Sequence, residues 1–132
     1  MANLDRRELA AVFVGGATGA VLRVWLSRTY PAAGNSWPWV TFAINVSGAF
    51  LLGYLVTRLQ ERLPLSTYRR PMIGTGFCGA LTTFSTMQLE LLKLVDHHRY
   101  GLAAAYAGAS LLAGYLAVFA ATAFVRRIRV IA

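Results

Sequence analysis

The chain is 132 residues long, enough for a single domain. Hydrophobic residues make up 57% of it and charged residues only 14%, which excludes an ordinary soluble globular domain. Its formal net charge of +8 would suggest nucleic acid in a soluble protein, but in so apolar a chain it points to lipid headgroups, and no nucleic-acid partner is expected.

Charge-free runs set the predicted elements. Leu9 to Leu22, Trp37 to Thr57, Pro71 to Gln88 and Tyr100 to Val125 carry no charge, and they approach or exceed the roughly 18 to 20 apolar residues that cross a bilayer. They predict an all-α integral membrane protein of four transmembrane helices, over residues 8–29, 38–60, 71–95 and 100–125, in one domain covering 1–132. A soluble bundle would need polar stripes at helical spacing, and a segment such as AYAGASLLAGYLAVFAATAF has none. PAAGNSWP, ERLPLSTYRRP and VDHHRYG carry the turn residues that join antiparallel helices.

The first span follows Arg6 and Arg7 and leads into three more spans, so it is expected to stay in the membrane and not to be cleaved. It ends its glycine-rich stretch at Arg23, a charge that either snorkels to the interface or pairs. Beyond it Tyr30, Trp37 and Trp39, with Tyr68 and Tyr100 at the later turns, are expected in the interfacial aromatic belt. In the second span Asn45 is the only amide between Val40 and Tyr54. Its N–H groups serve either as glue between helices or as donors to something passing.

The third span contains GTGFCGALTTFSTM, in which Gly74, Gly76 and Gly79 spell G-x-G-x-x-G and Asp96 stands at a ribose-binding distance. A dinucleotide turn needs a sheet that this chain does not supply. Three glycines in an apolar span instead predict a helix broken in mid-membrane, where freed carbonyls hold a cation, or a stripe of small residues for close packing. Thr82, Thr83, Ser85 and Thr86 then set four hydroxyls around Phe84, a density that calls for a pore or a crowded interface. Cys78, alone in the chain, reads as a buried packing residue. His97 and His98 in the last turn have no third ligand at a metal spacing.

Charge sets orientation. Nine arginines, Arg6, Arg7, Arg58, Arg62, Arg69, Arg70, Arg126, Arg127 and Arg129, fall on one side of a four-span fold; Arg28, Lys93 and Arg99 fall on the other. The termini are expected to face the cytoplasm.

GGATGAVLR at 15–23, INVSGAFLLG at 44–53 and GFCGALTTFST at 76–86 resemble the three signature segments of the Fluc (CrcB) fluoride channels, in order and over most of the chain. The resemblance implies a multi-pass protein of the inner or plasma membrane that is not an enzyme. It implies a dual-topology homodimer of antiparallel subunits, with two pores that pass fluoride out passively and protect against its toxicity. It also implies a central structural sodium ion, Na+, held by backbone carbonyls at Gly79 and Thr82. Asn45 takes the place of the pore asparagine, Phe84 of a pore phenylalanine, and Tyr106 of a tyrosine beside the pore. Thr83, Ser85, Thr86 and Ser110 supply pore hydroxyls, while Arg23 and Glu90 match charged positions near the vestibules. The chemistry agrees, because fluoride is strongly hydrated and its water must be replaced by amide and hydroxyl donors and by the electropositive rims of rings.

Three departures stand out. The family's second phenylalanine is Met87, a thioether without a ring's rim; Gly114 and Val118 stand where hydroxyls are expected in the fourth span; and the charge bias opposes dual insertion. One half of a heteromeric channel pair is therefore the alternative assembly. Two other classes are a small proton-coupled exporter, disfavoured by the lack of a mid-membrane carboxylate in the first span, and an assembly subunit, disfavoured by the dense donors.

Overall fold

The computed structural model describes residues 5–60 and 67–131, and every regular element among them is helical. Helix α1 (Arg6–Thr29) starts on Asp5, whose carboxylate accepts from the Arg7 N–H at 2.9 Å. Glu8 in its first turn and Arg28 in its last have the signs that the helix dipole favours. Helix α2 (Trp39–Gln60) follows a short connection. Helices α1, α2 over Trp39–Arg58, and the last helix, Tyr100–Ile131, are long and apolar enough to cross a membrane.

The expected third span is built differently. Short helix α3 (Arg69–Pro71) runs into a π-helical segment, Met72–Cys78, and then into α4 (Gly79–Leu81). Thr82 and Thr83 are extended, with ψ of 149° and 115°, and α5 (Phe84–Asp96) resumes after them. The break therefore lies beyond the glycines, not in them. Residues 74–79 stay coiled, as a wide turn that brings backbone against backbone. A Cβ on Gly76 would meet the Val12 carbonyl oxygen at 2.5 Å and the Gly16 nitrogen at 3.0 Å. One on Gly15 would collide with the Met72 carbonyl, and one on Gly19 with the Phe77 carbonyl. Of the two readings of these glycines, close packing holds at Gly76, where the α1 backbone leaves no room for a side chain; a Cβ on Gly74 would meet only the Leu55 side chain, at 3.6 Å, and one on Gly79 nothing within 4 Å.

Cross-contacts fix the directions. Gly15 and Gly19 face Met72 and Phe77, so α1 and the π segment run together. Residues 41, 45 and 48 of α2 face 90, 83 and 82, so α2 opposes that pair. Helix α6 (Tyr100–Ile131) runs alongside α2: Trp37 meets Tyr106, Gly53 meets Val118 and Thr57 bonds Thr122 at 3.1 Å. At its 32 residues α6 measures about 48 Å, against a hydrocarbon layer of roughly 30 Å, and Arg126, Arg127 and Arg129 fall in its final turns. They share that end with Arg6, Arg7, Arg58, Arg69 and Arg70; Arg62 lies outside the described residues.

The α5–α6 turn closes tightly. His98 adopts φ 57°, its N–H bonds the Val95 carbonyl at 2.9 Å, and the Arg99 N–H bonds the Leu94 carbonyl at 2.8 Å. This left-handed helix stop folds α6 back along α5, so that Leu94, Ala103 and Tyr106 form a buried cluster. Trp37 packs edge-on to Tyr106 at 5.4 Å and belongs to this core, whereas the expected belt residues Tyr30, Trp39 and Tyr100 are exposed. The difference lies in the partners: the Trp37 ring meets Phe42 and Tyr106 edge-on, beside the buried Pro38 that precedes α2.

Candidate functional site

The break at Thr82 and Thr83 frees backbone groups that must find partners in a low-dielectric setting. Asn45 supplies them. Its Nδ2 donates to the Thr83 carbonyl at 3.1 Å, and its Oδ1 accepts from the Thr83 N–H at 2.9 Å. The whole peptide face of Thr83 is thereby matched by one amide side chain. Since the Thr83 N–H turns to Asn45, it does not continue the helical ladder to the Gly79 carbonyl. Gly48 of α2 makes room for the Thr82 methyl, which abuts its Cα side.

The hydroxyls mostly serve the same turn. Thr82 Oγ1 donates back to the Cys78 carbonyl at 2.9 Å. Thr83 Oγ1 caps α5, accepting from the Thr86 N–H at 3.2 Å, and donates to Thr86 Oγ1 at 3.0 Å; Ser85 Oγ lies 3.4 Å from it. The cluster thus stabilises the restart of the helix and keeps its hydroxyls in one connected set.

Five of the sequence-expected residues, Asn45, Gly79, Thr82, Thr83 and Phe84, line one open hollow of about 340 Å³, with Cys78 in its wall. Phe84 is 68% exposed, and a Cβ on Gly79 would meet nothing within 4 Å. The hollow is walled on one side by this chain and open on the other.

A second polar group lies towards the α5–α6 turn. Glu90 accepts from Thr41 Oγ1 at 2.6 Å through Oε1 and from Tyr106 Oη at 2.9 Å through Oε2. Both donors are buried, Tyr106 completely. Among the described residues Glu90 has no cation partner; two hydroxyls hold its carboxylate. Glu90, Thr41 and Thr86 line a larger cavity of about 850 Å³. The sequence reading missed Thr41, although it sits one helical turn before Asn45 on the same face of α2.

The remaining expected residues separate from these. Met87 packs on the Leu94, Ala103 and Tyr106 cluster, so it does not stand beside Phe84 in the hollow. Ser110 Oγ and Arg23 Nε are buried without a hydrogen-bond partner among the described residues, and neither residue lines the two cavities. Val118 is taken up by packing against Gly53, while Gly114 faces open space. Cys78 is a buried free thiol.

Three apolar helices of membrane length, with a fourth helical segment broken at a polar, amide-braced turn, define a multi-pass membrane protein. Residues 10–122 match the model of the family described as CrcB-like protein, Camphor Resistance (CrcB), and the chain belongs to that family. It is 60% identical over 130 residues to the fluoride-specific ion channel FluC 1 of Mycolicibacterium paratuberculosis, covering 98% of each chain. It is also 46% identical to the FluC of Acidobacterium capsulatum, over 82% of this chain and 87% of the relative. With the FluC of Pyrococcus furiosus it shares 40% over 94% of this chain and 100% of the relative.

Proposed function

We propose that the chain is a fluoride-specific ion channel, not an enzyme, which lets fluoride leave the cell passively and so protects it from fluoride toxicity. The observation that carries this reading is the one-sided hollow: Asn45, Thr83 and the exposed Phe84 ring meet at a helix break, in a chain closely similar over its length to fluoride-specific channels. Asn45 spends one Nδ2 proton on Thr83 and keeps a second, and the rim of Phe84 offers the positive edge of its quadrupole. Both suit a small anion that has shed water.

The reading includes a fourth crossing by Arg69–Leu81 and Phe84–Asp96, and a second copy, packed antiparallel, that closes the hollow and gives two pores per dimer. An exposed phenylalanine and an unshielded Gly79 on the same open side support a partner there. A hard cation fits the same place. The Gly79 carbonyl lacks the amide that a continuous helix would supply, Gly79 and Thr82 share the hollow, and backbone oxygens suit sodium. These two residues from each copy would hold Na+, which would neutralise carbonyl dipoles at the centre of the dimer.

Purified chain reconstituted alone in liposomes should release fluoride to an electrode without a matching flux of tracer sodium. Absence of release from the wild type would remove the homodimeric channel. Labelling of an Asn35→Cys variant in a Cys78→Ala background reads the orientation. Both faces should label for an antiparallel homodimer, and one face only would assign the chain to a heteromeric pair fixed by its charge bias. Phe84→Ile, which removes the ring edge from an exposed position at modest change in volume, should cut efflux about tenfold with little change in melting temperature. Efflux equal to wild type would take the ring out of the ion's path.

A further inference from the structure

The cavity of about 850 Å³ lies between the end of α1, the α1–α2 connection, the start of α2 and α5. Among the described residues that line it, the only formal charges are those of Glu90 and Lys93. Glu90 is held at the wall by Thr41 and Tyr106, which donate to one of its oxygens each. If this cavity serves as the channel's vestibule, as the channel reading would have it, a carboxylate in its wall raises the energy of every approaching fluoride. Lys93 stands three residues further along α5, on the same face and in the last turn of the helix, and lines the same cavity. Its side chain is exposed, and its backbone is fixed by a 2.7 Å bond between its carbonyl and the His97 ring. The ammonium can therefore reach over the cavity while its root stays in place.

We infer that Lys93 recruits fluoride to this vestibule by offsetting the field of Glu90, an inference that rests on the channel reading above. Its effect is electrostatic. It acts on the approach of the ion and fades as added salt screens it, which separates it from any role in holding α5.

The test is single-channel conductance in planar bilayers at millimolar fluoride, with an impermeant salt at about 0.01 M and at about 1 M, where the Debye lengths are roughly 30 Å and 3 Å. At low salt Lys93→Gln should conduct about threefold less than wild type and Lys93→Glu about tenfold less, with both within about 1.5-fold at high salt. Lys93→Arg should match wild type at both. Equal conductance of Lys93→Gln and wild type at low salt would overturn the inference, and so would a loss that persists undiminished at high salt. A wild-type chain that passed no fluoride in the same bilayers would instead defeat the channel reading itself.

Discussion

Asn45→Asp is expected to stop fluoride efflux and to loosen the fold at once. The introduced carboxylate could still accept from the Thr83 N–H, but its second oxygen would face the Thr83 carbonyl, where the amide now donates at 3.1 Å. An unsatisfied buried carbonyl costs about 1–3 kcal/mol, and the new negative charge adds to that. For a fluoride about 4 Å away, the carboxylate contributes roughly 4 kcal/mol of repulsion at an effective dielectric constant near 20, or about a thousandfold in occupancy. Two measurements follow it: efflux from proteoliposomes, and the melting temperature of the detergent-solubilised protein. Efflux and melting temperature both unchanged would show that the amide neither braces Thr83 nor meets the ion.

In the proposed channel Asn45 would join the two roles between which the sequence could not choose. As glue it holds the Thr83 peptide, and through its remaining N–H it is free to donate into the hollow. The roles are coupled, because bracing Thr83 from α2 is what orients the amide. A side chain that merely filled the space would do neither.

Much of the fold was legible because a bilayer imposes length. Runs without charge in so apolar a chain read as spans, and α1 (Arg6–Thr29) and α2 (Trp39–Gln60) begin and end within two residues of the predicted spans 8–29 and 38–60. The position of the break was not legible, since glycine lowers helix propensity locally while the end of a helix depends on where its N–H groups go. Here the partner of the Thr83 N–H lies 38 residues away in α2. The contacts of Met87, three residues from Phe84, were likewise not legible: it packs on the Tyr106 cluster because α6 folds back along α5. Thr41 was missed because a lone threonine in an apolar helix usually bonds its own preceding turn, as Thr57 does to the Gly53 carbonyl at 2.7 Å. Only the placement of Glu90 across from it gives Thr41 a different acceptor.

Gly76→Ala is expected to destabilise the protein by about 3 kcal/mol, at the upper end of overpacking costs, although a single methyl group is added. The atoms that its Cβ would meet, the Val12 oxygen at 2.5 Å, the Gly16 nitrogen at 3.0 Å and the Gly15 Cα at 3.2 Å, all belong to the α1 backbone. No side chain can rotate out of the way, so α1 must move from the π segment along its length, and the contacts at Gly15 and Gly19 open with it. In lipid nothing apolar drives the two helices back together, so lost van der Waals contact is not regained by hydrophobic burial. Gly101→Ala supplies the comparison: its Cβ would meet nothing within 4 Å, and helix propensity favours alanine, by less than the roughly 1 kcal/mol of a helix interior because Gly101 lies in the first turn of α6. Monodisperse protein surviving a heat step, followed by size-exclusion chromatography, should fall steeply for the first variant and hold or rise for the second. Equal survival of the two would mean that α1 and Met72–Cys78 are not held backbone to backbone. Since α4 and the break begin directly after that segment, a shift of α1 would also carry Gly79 and Thr82 away from Asn45. Loss of efflux should therefore accompany loss of stability for Gly76→Ala, even though Gly76 does not line the hollow.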